Sequence, residues 1–147
     1  MKDLGLLLLR LLGLYLAIGH GLGKTMGLAT GQGARFIEGV ANMGFPVPVV
    51  FAWAAALSEV VGGLLMALGL FTRWAAAFAA FTMLVAAFVR HRAISHFLSW
   101  IGVAPASEEA LKAWGNPELA VVYLAVCVAV ALLGPGLFSL DAKLGRR

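Results

Sequence analysis

The sequence predicts an all-α membrane protein, a bundle of four transmembrane helices with short interfacial helices in its loops. Of its 147 residues, 62% are hydrophobic and only 12% are charged, about half the charged share of a soluble domain. The mean hydropathy is +0.95. Four apolar runs are long enough to cross a hydrocarbon core of about 30 Å. One domain over residues 1–147 accounts for all of them.

The predicted spans cover residues 4–23, 48–71, 74–90 and 117–134. The second begins at Pro48, where proline fits the first helical turn. The third is the shortest and depends on Arg73 and Arg90, whose long side chains can reach the headgroups from both ends. The fourth begins with Asn-Pro-Glu at 116–118, a helix-start pattern, and ends at Gly-Pro-Gly in 134–136.

Three short amphipathic segments lie between the predicted spans, at residues 33–43, 93–100 and 107–114. In the first, apolar Phe36 and Val40 alternate with charged Arg35 and Glu38 at helical spacing, which is typical of an interfacial helix. The other two segments end at tryptophans, residues that favour the headgroup level. None of the three is long enough to span a bilayer.

The charge and cysteine content exclude several kinds of function. The net charge is +4, but the basic residues stand at the ends of apolar runs, which indicates membrane anchoring rather than nucleic-acid binding. Cys127 is the only cysteine, so an intrachain disulfide or a thiolate metal cluster is excluded. His91 and His96 are five residues apart and do not share a helical face, so we predict no metal site.

The distribution of Lys and Arg gives a weak orientation signal. An even number of spans places both termini on one side, together with Lys2, Arg73, Lys143, Arg146 and Arg147. The opposite side carries an equal number, namely Lys24, Arg35, Arg90, Arg92 and Lys112. Arg10 lies nearer the terminal side, which favours cytoplasmic termini by the positive-inside rule.

Two charged residues, Arg10 and Glu59, lie inside predicted spans. A charge in lipid costs at least about 2.5 kcal/mol and therefore needs a partner or a purpose. Small and polar residues recur at three- and four-residue steps on the Arg10 face of span one and the Glu59 face of span two, which favours close packing of these faces. We expect an Arg10–Glu59 ion pair, which either neutralises two buried charges or forms a polar ligand pocket.

The three histidines are expected at one membrane face. If spans one and three are parallel, His20, His91 and His96 lie at the same level, alongside Lys24, Arg90 and Arg92. Such a basic mouth can bind a quinone carbonyl, a sulfur oxyanion or a lipid phosphate. The alternative is that these are ordinary headgroup-level residues.

Four ordered motifs resemble the DoxX-like family of membrane proteins. They are LLLRLLGLYLAIGHGLGK in span one, MGFPVP before span two, LSEVVGGLLMALGLFTRWAA across spans two and three, and LLGPGLFSLD after span four. The resemblance covers nearly the whole chain. It implies a four-helix membrane protein associated with quinone-linked sulfur oxidation, as in thiosulfate dehydrogenase subunits, or a membrane partner of soluble oxidoreductases in defence against oxidative and thiol stress.

Three functions follow from the residues and the resemblance. The first is an inner (plasma) membrane subunit associated with redox chemistry, which binds a quinone or a small anionic sulfur species. The second is a non-enzymatic scaffold for soluble oxidoreductase or sulfurtransferase partners, in the bilayer alone or as a homo-oligomer, and the third is a small transporter. No catalytic residue is identified. The candidate ligand-binding residues are Arg10, His20, Lys24, Glu59, Arg73 and His91.

Overall fold

The computed structural model describes residues 1–146; Arg147, counted above among the terminal-side cations, lies outside this range. Within it the chain forms helices and no strand, which confirms the all-α class. The helices are α1 (Lys2–Ala29), α2 (Ala34–Ala41), α3 (Pro48–Leu68), α4 (Thr72–Arg90), α5 (Ala93–Trp100), α6 (Glu108–Trp114), α7 (Glu118–Leu133) and α8 (Leu140–Lys143).

Three of these helices are long and apolar enough to cross a membrane. They are α1, α3 and α4, with 28, 21 and 19 residues. Helix α7 has 16 residues, about 24 Å at 1.5 Å per residue, and is short for a span by itself. Helix α6 precedes it across a 43° bend, and the pair counts as a fourth span if it is taken as one broken helix.

Two helix ends differ from the predicted span limits by three or more residues. Helix α1 continues past residue 23 to Ala29, because the charge of Lys24 is neutralised within the bundle and does not force the helix to end. Helix α3 stops at Leu68 rather than residue 71, because Gly69 takes a left-handed conformation with φ 69°, which ends helices. Phe71 is also left-handed, so a tight turn separates α3 from α4.

Helices α1 and α3 approach closely at two glycine contacts. A Cβ atom added to Gly13 would lie 2.5 Å from the carbonyl oxygen of Gly63, and one added to Gly21 would lie 2.7 Å from the backbone nitrogen of Val60. Only glycine fits at such distances, as in other small-residue helix interfaces. These contacts fix which residues of α1 and α3 face each other.

The other main interface is between α4 and α7. Alanines of α4, among them Ala76 and Ala79, pack against Tyr123, Cys127 and Val130 of α7 in one buried cluster. The small side chains let the two helices come together, and the larger ones fill the space between them. This packing places Tyr123 of α7 beside α1.

Wide π-type turns occur in three of the membrane helices, within α1 and α3 and at the end of α4. They cover Ala17–Gly21 in α1, Ser58–Gly62 in α3 and Val85–Arg90 in α4. The first two turns contact each other. Wide turns of this kind are uncommon and are frequently found at functional sites, so their meeting point is where a site is most expected.

Candidate functional site

The predicted Arg10–Glu59 ion pair is wrong. Glu59 lies opposite Gly21 of α1, whereas Arg10 lies beside Gly69 at the terminal end of the bundle. Arg10 and Gly21 are eleven residues apart in the helix, about 16 Å along its axis, too far for a direct pair. The glycine contacts between α1 and α3 set this register, and counting from the predicted span ends misplaced it.

Glu59 pairs instead with Lys24. Its carboxylate is 1% exposed, and both of its oxygens accept hydrogen bonds from Lys24 Nζ, at 2.6 and 2.8 Å. The Lys24 side chain is 34% exposed, so it extends from the protein surface to the buried carboxylate of Glu59. A buried carboxylate held by one ammonium avoids most of the cost of an unpaired charge in an apolar medium.

Aromatic rings lie near Lys24 of this ion pair and near the neighbouring His20. The ring of His20, one turn from Lys24, lies 6.1 Å from Tyr15 and 5.9 Å from Tyr123 between centroids. Lys24 Nζ lies 5.4 Å from the centre of the Phe36 ring on α2, within range of a cation–π interaction. We call His20, Lys24, Glu59 and Tyr123 the loop-side cluster.

A hydroxyl pair borders the loop-side cluster. The oxygens of Ser58 and Thr82 are 2.6 Å apart and join α3 to α4. Ser58 also donates to the carbonyl of Ala55, and Thr82 is within reach of the carbonyl of Phe78. Because Ser58 precedes Glu59 in the wide turn of α3, this bond helps to hold the turn against α4.

Arg10 has a different set of partners at the opposite end of the bundle. Its guanidinium is buried, with 2% exposure, and donates to the carbonyls of Pro135 and Phe138 and, at 3.4 Å, of Ala67. These carbonyls belong to the end of α3 and to the segment after α7. Arg10 therefore holds the segment after α7 against α1.

Asp141 completes this arrangement. Its carboxylate accepts hydrogen bonds from the backbone nitrogens of Phe71 and Thr72, at 3.0 and 2.8 Å, and from the Thr72 hydroxyl at 2.7 Å. Burial raises the pKa of Asp141. The hydrogen bonds from Thr72 and Phe71 and the charge of Arg146 lower the pKa by a larger amount, so it lies below its usual value. We call Arg10, Thr72 and Asp141 the terminal-side latch.

The remaining candidate residues hold backbone carbonyls. Arg73 donates to the carbonyls of Ala131 and Leu132, both at 2.9 Å, at the end of α7. His91 Nδ1 lies 2.6 Å from the carbonyl oxygen of Trp114 at the end of α6. The predicted ligand set thus divides into the loop-side cluster, Arg10 and Arg73 at the terminal end, and His91 in the loops.

The three histidines have different surroundings. His20 packs on Tyr123, about 7.5 Å along α7 from its first residue, whereas the His96 ring lies 5.7 Å from Trp114 among the loop helices. Of the three histidines, His20 lies one helical turn from Lys24 of the ion pair. Its role, like that of every candidate ligand residue, stays a prediction.

Asp141 and Thr72 were not among the residues predicted from the sequence to have a role. Both stand in motifs quoted for the family resemblance, yet neither lies inside a predicted span, where buried charges were sought. A signal was available in Ser139, which accepts a hydrogen bond from the backbone nitrogen of Ala142 as a helix cap. A capped turn directly after a glycine–proline stop predicts an ordered segment, and an acid in it needs a partner.

Comparison with known proteins gives consistent results. A family model described as DoxX matches residues 5–92. The chain is 31% identical to the inner membrane protein YqjF of Escherichia coli over 100% of the chain and 97% of that protein. It is also 31% identical to the inner membrane protein YphA of Escherichia coli, over 73% of the chain and 70% of that protein. No solved structure matches the chain.

Proposed function

The chain belongs to the DoxX family, and from that premise we propose that it is a membrane subunit associated with redox chemistry that binds a quinone headgroup at the loop-side cluster. The observation that carries the proposal is the Lys24–Glu59 pair, a carboxylate with 1% exposure matched by a lysine that remains one-third exposed. Ionisable groups within membrane helices are costly and usually mark a ligand or proton site.

The charge of the loop-side cluster favours a neutral ligand over an anion. Lys24 is already matched by Glu59, so the pair has no net charge with which to attract a sulfur oxyanion. Arg10, which was expected to lie beside Glu59 as a second cation, lies at the other end of the bundle. A quinone carbonyl is a neutral hydrogen-bond acceptor and does not need a net positive site.

The loop-side cluster has unused hydrogen-bonding capacity. Lys24 Nζ donates to both carboxylate oxygens of Glu59, and an ammonium group with three N–H donors has one more for a ligand oxygen. Within residues 1–146, the His20 and Tyr123 rings contact each other, and neither the His20 imidazole nor the Tyr123 hydroxyl makes a hydrogen bond to another residue. A bound quinone supplies two-electron chemistry; these residues would bind its carbonyl, and His20 and Glu59 would hold the protons that accompany it.

The proposal includes location and orientation. We place the protein in the plasma membrane as a multi-pass protein with both termini in the cytoplasm. The names of its relatives support a membrane location. The two sides carry equal numbers of Lys and Arg, and Arg10, which lies nearer the terminal side, supports the orientation. Single cysteines introduced at Lys143 and at Lys112 test it: an impermeant maleimide applied to intact cells should label position 112 and leave position 143 unlabelled. The reverse pattern would overturn the orientation.

Quinone binding is tested with protein purified in mild detergent and titrated with a short-chain ubiquinone analogue. The double variant Lys24→Met/Glu59→Gln removes the ion pair without leaving an unpaired charge, and we expect it to weaken binding about tenfold or more. The control is Arg35→Met/Glu38→Gln, which removes one exposed charge of each sign from α2 and should bind like the unmodified protein.

The same experiment separates the competing functions. Equal binding by the unmodified protein and the Lys24→Met/Glu59→Gln variant would reject the loop-side cluster as the site. No binding by the unmodified protein, together with capture of soluble oxidoreductases on the purified protein, would favour the scaffold function instead. Uptake of a sulfur anion into vesicles that contain the protein would favour transport.

A further inference from the structure

We propose that a groove between α5 and the α6–α7 bend binds one phospholipid with a phosphate and a primary ammonium in its headgroup, as in phosphatidylethanolamine. The groove has a volume of about 700 Å³, and its lining includes His96, Trp100, Lys112, Glu118 and Val122. That volume is within the range of sites for drug-sized ligands. The groove is separate from the loop-side cluster, and neither proposal depends on the other.

The walls of the groove fit the boundary between acyl chains and headgroups. Trp100 is 83% exposed and Phe97 is 56% exposed on one wall, and Val121 and Val122 form part of the other at the start of α7. Tryptophan is enriched at the headgroup level of membrane proteins. The apolar walls therefore suit the upper part of an acyl chain and the polar rim suits a headgroup.

The rim of the groove carries one acid and one base. Asn116 donates to Oε2 of Glu118, which leaves Oε1 free to accept from an ammonium group. Lys112 lies 3.7 Å from Glu108 with both side chains mostly exposed, a weak pair that leaves Lys112 free to bind a phosphate.

This charge pattern selects among phospholipid headgroups. A purely anionic headgroup would meet the carboxylate of Glu118, and a choline headgroup has no N–H to donate to it. A headgroup with both a phosphate and a primary ammonium matches the acid and the base at once.

His96 adds an unmet polar group beside the groove. Its ring lies against Trp114, and within residues 1–146 its Nε2 atom is buried without a hydrogen-bond partner. Buried polar atoms in folded proteins are normally bonded to protein, water or ligand. An unsatisfied imidazole next to an apolar groove with a charged rim is consistent with a site that is completed by a polar amphiphile.

The proposal is tested by native mass spectrometry of the full chain in detergent, with phosphatidylethanolamine, phosphatidylcholine and phosphatidylglycerol of identical acyl chains added in turn. We expect about three- to fivefold more bound phosphatidylethanolamine than either other lipid, the effect of one partly exposed charge pair. Glu118→Gln should abolish this preference. Trp100→Ala should lower retention of all three lipids about fivefold. Glu109→Gln, on α6 but outside the lining of the groove, should change nothing.

Several results would overturn the proposal. Equal retention of the three lipids by the unmodified protein would reject headgroup selection. An unchanged preference in Glu118→Gln, or the same loss in Glu109→Gln, would reject the assigned rim. A groove that serves as a docking site for another protein would show no lipid retention above that of the Trp100→Ala variant. Thermal unfolding of each variant shows whether a loss of binding is merely a loss of fold.

Discussion

Each end of the bundle holds a buried acid and a cation, but the hydrogen-bond partners of these groups differ between the two ends. In the terminal-side latch, Arg10 donates to main-chain carbonyls and Asp141 accepts from main-chain nitrogens. In the loop-side cluster, Lys24 and Glu59 bond to each other. Main-chain partners are fixed in place, whereas a side-chain pair can open when a ligand competes for it. This difference separates a structural network from a candidate binding site.

The same contrast appears in the helix geometry. Wide turns occur in α1 and α3 where the loop-side cluster forms, while Arg10 stands in the regular part of α1. Wide turns leave the backbone hydrogen-bonding pattern locally altered and are enriched at functional sites. We therefore expect variants of the latch to lower stability above all, and variants of the cluster to lower binding above all.

The largest expected effect is that of Arg10→Met. The change removes the buried charged donor for the carbonyls of Pro135 and Phe138. Loss of one side of a buried charged network costs about 3–5 kcal/mol. Thermal unfolding in detergent should show a much lower Tm than for Arg35→Met, which removes an exposed arginine. Equal Tm values for the two variants would mean that the latch does not stabilise the fold.

The next largest effect distinguishes the two possible partners of Glu59. A double-mutant cycle of Lys24→Met and Glu59→Gln should give a coupling energy of about 1–3 kcal/mol, because the groups are in contact. The cycle of Arg10→Met and Glu59→Gln should give less than about 0.5 kcal/mol, as for independent sites. A strong Arg10–Glu59 coupling would contradict the helix register described above.

Much of the fold, and less of the site, could be predicted from the sequence. Hydropathy and helix-stop signals placed the membrane helices because lipid admits only segments that satisfy their own backbone. The polar face that holds His20 and Lys24 was also recognisable from its spacing. The partner of Glu59 was not, because a shift of two or three turns between helices is fixed by contacts such as Gly13–Gly63 and leaves no trace in the hydropathy pattern.

The contacts of the terminal-side latch could not be predicted from the sequence, for a related reason. Arg10 bonds to carbonyl oxygens, which every residue possesses, so no residue type marks its partners. Asp141 lies 131 positions along the chain from Arg10, and only the packed structure brings the two segments together. Main-chain partners of this kind can be found from coordinates but not from composition or periodicity.

A pH series sharpens the comparison at the latch. Because the folded-state pKa of Asp141 is lowered, its carboxylate contributes stability fully above the unfolded value of about 3.9 and loses that contribution as the pH falls through the lower folded value. Asp141→Asn should therefore destabilise the protein at neutral pH and show a flatter loss of Tm below about pH 4 than the unmodified chain. Parallel acid curves for the two proteins would contradict the assigned role.

The smallest expected effect is that of Ser58→Ala. It removes the hydroxyl pair with Thr82 that joins α3 to α4 beside the cluster, worth about 1 kcal/mol for a neutral hydrogen bond. Thermal unfolding should show a small drop, and Thr82→Val should show no additional drop in the Ser58→Ala background. Full additivity of the two substitutions would show that these hydroxyls do not act as a pair.

The most direct test of the account compares quinone affinity and stability in two variants, Asp141→Asn in the latch and Lys24→Met/Glu59→Gln in the cluster. We predict that Asp141→Asn lowers Tm while the Kd for a short-chain ubiquinone analogue stays within about twofold, and that the cluster variant weakens binding about tenfold or more. Equal loss of binding in both variants, or an unchanged Kd in the cluster variant, would contradict the division of the bundle into a structural end and a binding end.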